Sequence, residues 1–153
     1  EEFEEACKSF GSVECFVTAY YKRLHWIVTQ QAPDVLAHLD LITKLNKDNY
    51  FFNTSDSWYR ALVTTVVDAL EKTDIIVEMN SGAISRGYTQ QPYPELSIMR
   101  ELCKRGIPIT ISSDAHHVDA LDCAFPAMVA IAKDVGYNTA KQLRGGAFRD
   151  TSL

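Results

Sequence analysis

The sequence lacks a long apolar run, an excess of basic residues and paired cysteines, and each absence excludes a class of protein. No hydrophobic stretch approaches the roughly 20 residues that a membrane-spanning helix needs, and the acidic segment 1–5 is unlike the basic start of a signal peptide. The net charge is −5, whereas nucleic-acid surfaces need Lys and Arg to neutralise phosphates. We therefore expect neither a membrane nor a nucleic-acid partner.

Cysteine usage and composition indicate one cytoplasmic globular domain. The four cysteines are irregularly spaced and form no CxxC pair, which is unlike a secreted disulfide framework. We interpret them as reduced thiols. The chain is 46% hydrophobic and 23% charged, enough for a core, and it contains no internal repeat, low-complexity tract or Gly/Ser linker. These features predict a single domain over residues 1–153.

Hydrophobic periodicity predicts an α/β fold. Apolar residues at spacings of three and four predict helices over about 13–30, 58–73, 94–105 and 126–135, with Pro94 at the first position of the third helix. Apolar runs predict buried strands at 35–37, 75–77 and 107–111, and a loosely defined strand with a turn at Gly145-Gly146 covers 140–153. Strands alternating with helices predict a parallel sheet, because parallel neighbours need a helical crossover.

Polar side chains follow each of the three predicted strands. They are His38 and Asp40, then Glu78 and Asn80, then Asp114 and His116. In α/β barrels and open α/β sheets the catalytic groups gather at the carboxyl ends of the strands. We therefore expect these six residues to converge on one rim.

Three of these residues are candidate metal ligands. Asp114 and His116 combine carboxylate oxygen with imidazole nitrogen, a donor set that suits zinc, manganese or iron. A solvated loop is the alternative for this pair, and a hydrogen-bonded structural histidine is the alternative for His38. Glu78 can bridge metals or orient a histidine, although a carboxylate at a strand end also commonly accepts backbone hydrogen bonds, which we favour.

Arg86 is the candidate for substrate binding. It lies in a long loop between Gly82 and Gly87 on the same predicted rim, and a guanidinium there can bind phosphate through two parallel hydrogen bonds. A surface arginine is the alternative. We interpret His25 as structural and His117 as solvent-facing. No GxxxxGK[ST] or GxSxG motif is present, so the sequence predicts neither a P-loop nor a serine hydrolase.

Three segments together resemble histidinol-phosphate phosphatases of the PHP (polymerase and histidinol phosphatase) family. They are AHLDLITKLN (37–46), VEMNSGAISRGYTQQPYPE (77–95) and GIPITISSDAHHVDALDCAF (106–125). The resemblance implies an irregular (βα) barrel with fewer than eight strands and a cluster of two or three divalent metal ions, held in part by His38, Asp114 and His116. It also implies a small phosphoester as substrate, specifically histidinol phosphate in histidine biosynthesis, with Arg86 on its phosphate. From their positions we further predict Asn80 as a substrate-binding residue and Asp40, with Asp114 and His116, as a catalytic residue. Asp40 or Glu78 would orient ligands or transfer a proton.

The sequence departs from the family at its start. The family opens with an HxH motif and further ligands on early strands, and nothing here corresponds to them. A barrel enzyme typically has on the order of 250 residues. We therefore interpret the chain as a partial domain without its N-terminal strands, and expect it alone to be an incompetent phosphatase that self-associates through an unpaired sheet edge.

Two alternatives to a histidinol phosphatase remain at this point. One is a PHP-type hydrolase of another small phosphoester. The other is a non-catalytic module for binding or assembly, which the absence of the early ligands would favour. Polar residues at three strand ends oppose the second alternative, because a site with no chemical role gives no physical reason to keep them there.

Overall fold

The computed structural model describes residues 2–153, which form two compact units. Among the described residues, unit 1 contains 2–32 and 42–73, and unit 2 contains 33–41 and 74–153. Each unit is discontinuous in the sequence, since residues 42–73 interrupt unit 2. Among the described residues, no helix is long and apolar enough to cross a membrane.

Unit 1 is helical. It contains α1 (Glu2–Ser9), α2 (Val13–Trp26) and α3 (Ser57–Leu70), with a π-helical turn at Ile27–Gln31. The side chain of Ser12 caps α2 by accepting a hydrogen bond from the Cys15 N–H. The buried hydroxyls of Tyr21 and Tyr59 lie 2.9 Å apart, so a hydrogen bond joins α2 to α3 inside the core of this unit.

Unit 2 contains a three-stranded parallel sheet in the order β1-β2-β3, where β1 is Val35–Leu36, β2 is Ile76–Asn80 and β3 is Ile109–Ser112. The short α4 (Gly82–Ser85) and α5 (Leu96–Lys104) lie between β2 and β3 in the chain, and α6 (Phe125–Val135) follows β3. Strands alternating with helices confirm the predicted α/β class and the parallel sheet. The completion of this sheet into a barrel stays a prediction.

The central strand β2 determines how the site is arranged. All five of its residues are buried, and it pairs in parallel with β1 through Val35 and Ile76 and with β3 through Asn80 and Ser112. Because side chains alternate along a strand, Glu78 and Asn80 face one side while Val77 and Met79 face the other. Because the three strands are parallel, their carboxyl ends lie at the same edge of the sheet.

The structure corrects several predicted boundaries. The strand β2 runs through Glu78 and Asn80 instead of ending before them, because both polar side chains find hydrogen-bond partners in the sheet edge. Pro94 precedes the cap residue Glu95, so the prediction of Pro94 at the first helical position was wrong. The helices α1 and α4 were not predicted. Their runs of eight and four residues are too short to show a clear helical period.

The C-terminal segment is a hairpin instead of one strand. The strands β4 (Thr139–Arg144) and β5 (Ala147–Ser152) pair antiparallel as a separate two-stranded sheet. The predicted turn at Gly145-Gly146 is confirmed, and both glycines have positive φ (59° and 80°), the conformation that two-residue hairpin turns require.

We predict that Met79→Ala destabilises the protein by about 2–5 kcal/mol, because Met79 is completely buried on the central strand and its truncation leaves a cavity. Urea unfolding measures the change. Leu143→Ala is the control, since Leu143 is 64% exposed and its truncation should change stability by no more than about 0.5 kcal/mol. Equal effects of the two substitutions would contradict the assignment of β2 as the core strand.

Candidate functional site

The carboxyl ends of the three parallel strands meet at the side chain of Glu78. Its Oε1 accepts a hydrogen bond from the Ser112 hydroxyl at 2.6 Å, at the end of β3. Its Oε2 accepts the backbone N–H of His38 at 3.2 Å and lies 3.1 Å from His38 Nδ1, just after β1. One buried carboxylate on β2 therefore contacts residues that follow or end both neighbouring strands.

Two of the predicted site residues hold an unusual backbone conformation. His38 has φ 55° and Asp114 has φ 47°, in the left-handed region that residues other than glycine seldom adopt. Such residues cost of order 1–3 kcal/mol each and persist where the surroundings fix them. Both occur where the chain leaves a strand of the same sheet, so the strained positions mark the same edge as the polar side chains.

Arg86 and Asp114 form a two-pronged contact. The guanidinium donates from Nη1 to the backbone carbonyl of Asp114 at 3.0 Å and from Nη2 to its Oδ2 at 2.9 Å. Burial alone would raise the pKa of Asp114, but the hydrogen bond and charge of Arg86, with weaker attraction from His38 and His116, hold that pKa below its ordinary value. The carboxylate form of Asp114 is therefore favoured.

His116 lies on the other side of the Asp114 carboxylate. Its Nε2 is 3.6 Å from Asp114 Oδ1, and its side chain is 71% exposed. Two donor atoms that are each about 2.1 Å from a tetrahedral ion lie roughly 3.4 Å apart, so this spacing and these donor types fit two ligands of one divalent metal ion. Within residues 2–153, however, no group of three or more His, Cys, Asp and Glu side chains is arranged to hold a metal.

Gly82 lies between Asn80 and the Arg86–Asp114 pair. Its N–H donates to Asn80 Oδ1 at 2.7 Å. A Cβ at this position would lie 2.7 Å from Arg86 Nη2, 2.9 Å from Asn80 Oδ1 and 3.0 Å from the Cβ of Asp114. Only glycine leaves room for these three neighbours, so Gly82 brings the Asn80 side of the edge into contact with the Arg86–Asp114 pair.

Asp40 and Asn80, predicted as catalytic and substrate-binding residues, are both buried. Asp40 is 0% exposed, and its Oδ2 accepts the Glu95 N–H at 2.8 Å, just before α5. Loss of hydration raises the pKa of Asp40 to about 7, although the Glu95 hydrogen bond opposes the shift. Asn80 is 1% exposed and holds Gly82. The observed contacts of both residues support the neighbouring backbone.

Sequence reasoning identified most of these side chains and missed how they connect. The structure brings His38 to Glu78 and Asn80, and it brings Arg86 to Asp114 with His116 beside them. Glu78 had been interpreted as an acceptor of backbone hydrogen bonds, and it does accept one, but it also contacts the His38 ring. Ser112 received no role, although its position two residues before Asp114 was a signal in the sequence.

Comparison with known proteins gives limited support for a family. No family model matches the chain. A curated relative, the histidinol-phosphatase of Bacillus subtilis (strain 168), is 24% identical over 131 residues. The aligned region covers 83% of this chain and 48% of the relative, so the chain spans about half the length of the protein it matches.

We predict that the free energy of unfolding contains a pH-dependent contribution from Asp40. Its pKa is about 7 in the folded state and close to the ordinary 3.8 when unfolded. The folded state therefore binds more protons between these values, and this contribution is full below about pH 4 and is lost as the pH rises to about 7. In Asp40→Asn this decrease should disappear, so the variant should gain stability relative to the wild type at high pH.

Urea unfolding at several pH values between about 4 and 8 tests this. Asp150→Asn is the matched control, because Asp150 is exposed and pairs with Lys141 on the hairpin. A difference between Asp40→Asn and the wild type that stays constant across the range would show that Asp40 does not titrate on unfolding as expected.

Proposed function

We propose that this chain forms part of a metal-dependent phosphomonoesterase, and that its substrate is histidinol phosphate, which would be hydrolysed to histidinol and phosphate. The observation that carries the proposal is the Arg86–Asp114 contact with His116 beside it. In this proposal Arg86 is the cation that binds the substrate phosphate, and Asp114 and His116 are two donors to a metal ion. The name of the distant relative supports the same activity and supplies the substrate.

His38, Asp114 and His116 are the proposed metal ligands, and of these Asp114 and His116 are the pair whose spacing fits a single ion. Asp114 presents Oδ1 towards His116 while Arg86 holds Oδ2, and His38 contributes to the electrostatic field at the same carboxylate. A divalent ion bound there would supply a water of lowered pKa and would neutralise charge on the phosphoryl oxygens. Zinc, manganese and iron all suit these donors.

Arg86 is the proposed contact to the substrate phosphate. A guanidinium has five N–H donors, and the two hydrogen bonds to Asp114 leave three for phosphoryl oxygens. Its side chain is 27% exposed, so a ligand can reach it. Holding Arg86 against Asp114 also orients the fork before substrate arrives, which lowers the conformational entropy lost on binding.

Asn80 and Asp40 take indirect roles in this proposal. Asn80 fixes Gly82, whose lack of a side chain allows Arg86 to approach Asp114. Asp40 has no exposed surface, so it acts on the site through the backbone that it holds at Glu95. Neither residue needs to touch substrate to influence the arrangement of those that do.

A binding or assembly module is the second candidate. It is favoured by the finding that the described residues include no group of three or more donors arranged for a metal.

A phosphatase that acts on another small phosphoester uses the same site chemistry. A panel of phosphomonoesters distinguishes that reaction from histidinol phosphate hydrolysis.

We predict that Asp114→Ala removes bound metal, because the substitution deletes the carboxylate that balances the charge of the cation. The measurement is metal content after dialysis with zinc or manganese, together with turnover of histidinol phosphate by the protein expressed with any coding sequence upstream of Glu1. Asp119→Ala is the control, since Asp119 is an exposed carboxylate of the same loop. Unchanged metal stoichiometry in Asp114→Ala would exclude Asp114 as a ligand.

Arg86→Ala should raise KM for histidinol phosphate by at least about tenfold, the loss expected for one charge-assisted hydrogen-bond contact. Arg86→Lys should restore binding only in part, because an ammonium group cannot reproduce the fork geometry. Arg144→Ala, on the exposed hairpin, is the control. An unchanged KM in Arg86→Ala would remove Arg86 from the substrate site.

A further inference from the structure

We propose that Glu78 is a positioning residue that fixes the tautomer of His38, with the proton on Nδ1 and the lone pair on Nε2. The proposal concerns a residue to which the proposed function assigns no part. Its geometric basis stands without that function. Its chemical consequence, a defined donor atom at His38, rests on the assignment of His38 as a ligand.

The Glu78 carboxylate acts as an acceptor in its described contacts. It is 9% exposed and receives the Ser112 hydroxyl on Oε1 and the His38 backbone N–H on Oε2. His38 Nδ1 lies 3.1 Å from the same Oε2. An ionised carboxylate has acceptors only, so Nδ1 must carry a hydrogen to make a favourable contact at this distance.

Two contacts of His38 Nδ1 favour opposite tautomers of the ring. The Asn80 amide Nδ2 lies 3.5 Å from His38 Nδ1, and Nδ1 would have to be unprotonated to accept a hydrogen bond from it. A distance of 3.5 Å is at the outer limit for such a bond, whereas a hydrogen bond to a carboxylate is shorter and about twice as strong as a neutral one. The carboxylate therefore decides the tautomer.

Glu78 also supports the backbone of His38. His38 has φ 55°, a conformation that needs support from its surroundings. The Oε2 atom of Glu78 contacts the backbone N–H and the ring of His38 together, so one atom fixes both the chain and the side chain. With its proton on Nδ1, a neutral His38 ring carries its lone pair on Nε2.

This arrangement gives His38 a defined role at the site. A histidine that binds a metal or accepts a proton through Nε2 commonly donates Nδ1–H to a carboxylate, which fixes the ring and makes Nε2 more basic. Glu78 supplies that carboxylate here. It does so from the central strand, while Ser112 on β3 holds its other oxygen.

The test is long-range ¹H–¹⁵N NMR of the full chain at about pH 8.5, where imidazoles are ordinarily neutral. The ¹⁵N shifts and coupling pattern of a neutral imidazole distinguish the two tautomers. We expect His38 in the wild-type protein to carry its proton on Nδ1. A wild-type His38 protonated mainly on Nε2 would overturn the proposal, and this measurement needs no variant and no metal.

Glu78→Gln then tests the charge at nearly constant shape. The ratio of Nδ1–H to Nε2–H tautomer should fall by roughly tenfold, the value of one charge-assisted hydrogen bond. Glu101→Gln is the control and should leave the ratio unchanged, because it removes a glutamate that pairs with Arg105. A ratio unchanged in Glu78→Gln, or an equal fall in Glu101→Gln, would overturn the proposal.

The NMR measurement needs neither metal nor substrate, so its result is independent of whether the proposed function is correct. Loss of the Nδ1–H tautomer in Glu78→Gln together with no metal binding by the wild type would support the role of Glu78 and refute the metal site. Metal binding by a wild-type protein in which His38 is an Nε2–H tautomer would support the metal site and refute the role of Glu78.

Discussion

Parallel pairing of β2 with both β1 and β3 is the constraint on which the rest of unit 2 depends. Parallel strands share a direction, so their carboxyl ends lie at one edge of the sheet. The five buried residues of β2 fix the register of the strand. A shift of one residue would turn Glu78 and Asn80 to the opposite face of the sheet and bring Met79 to the face that they now occupy. The positions of the polar side chains follow from that register.

The polar edge is held together by hydrogen bonds that reach across the strands. Glu78 contacts His38 and Ser112, and Asn80 holds Gly82, against which the Arg86–Asp114 pair is packed. Burying polar groups costs free energy unless each is satisfied, so such a network favours one arrangement over its alternatives. The left-handed backbone at His38 and Asp114 is consistent with a site whose geometry is maintained at some cost in stability.

The proposals divide the site between binding and orientation. Arg86, Asp114 and His116 are exposed enough to meet a ligand, while Glu78, Asn80 and Asp40 are buried and act through the atoms they hold. The similarity to a histidinol-phosphatase is distant and covers about half of that protein, so chemistry at the residues themselves provides the more direct test.

Periodicity alone was enough to predict the α/β class, the three parallel strands and the polar residues at their ends, because burial imposes a repeat that is visible in the sequence. The same reasoning could not find α1 and α4, whose few residues show too little of a helical period, or the extension of β2 through Glu78 and Asn80. Which polar groups touch was decided only by tertiary structure. The contact of His38 with Glu78 joins residues 40 apart in the chain, and that of Arg86 with Asp114 joins residues 28 apart. Such pairs depend on strand register and on the space left by Gly82, and neither quantity is a local property of the sequence.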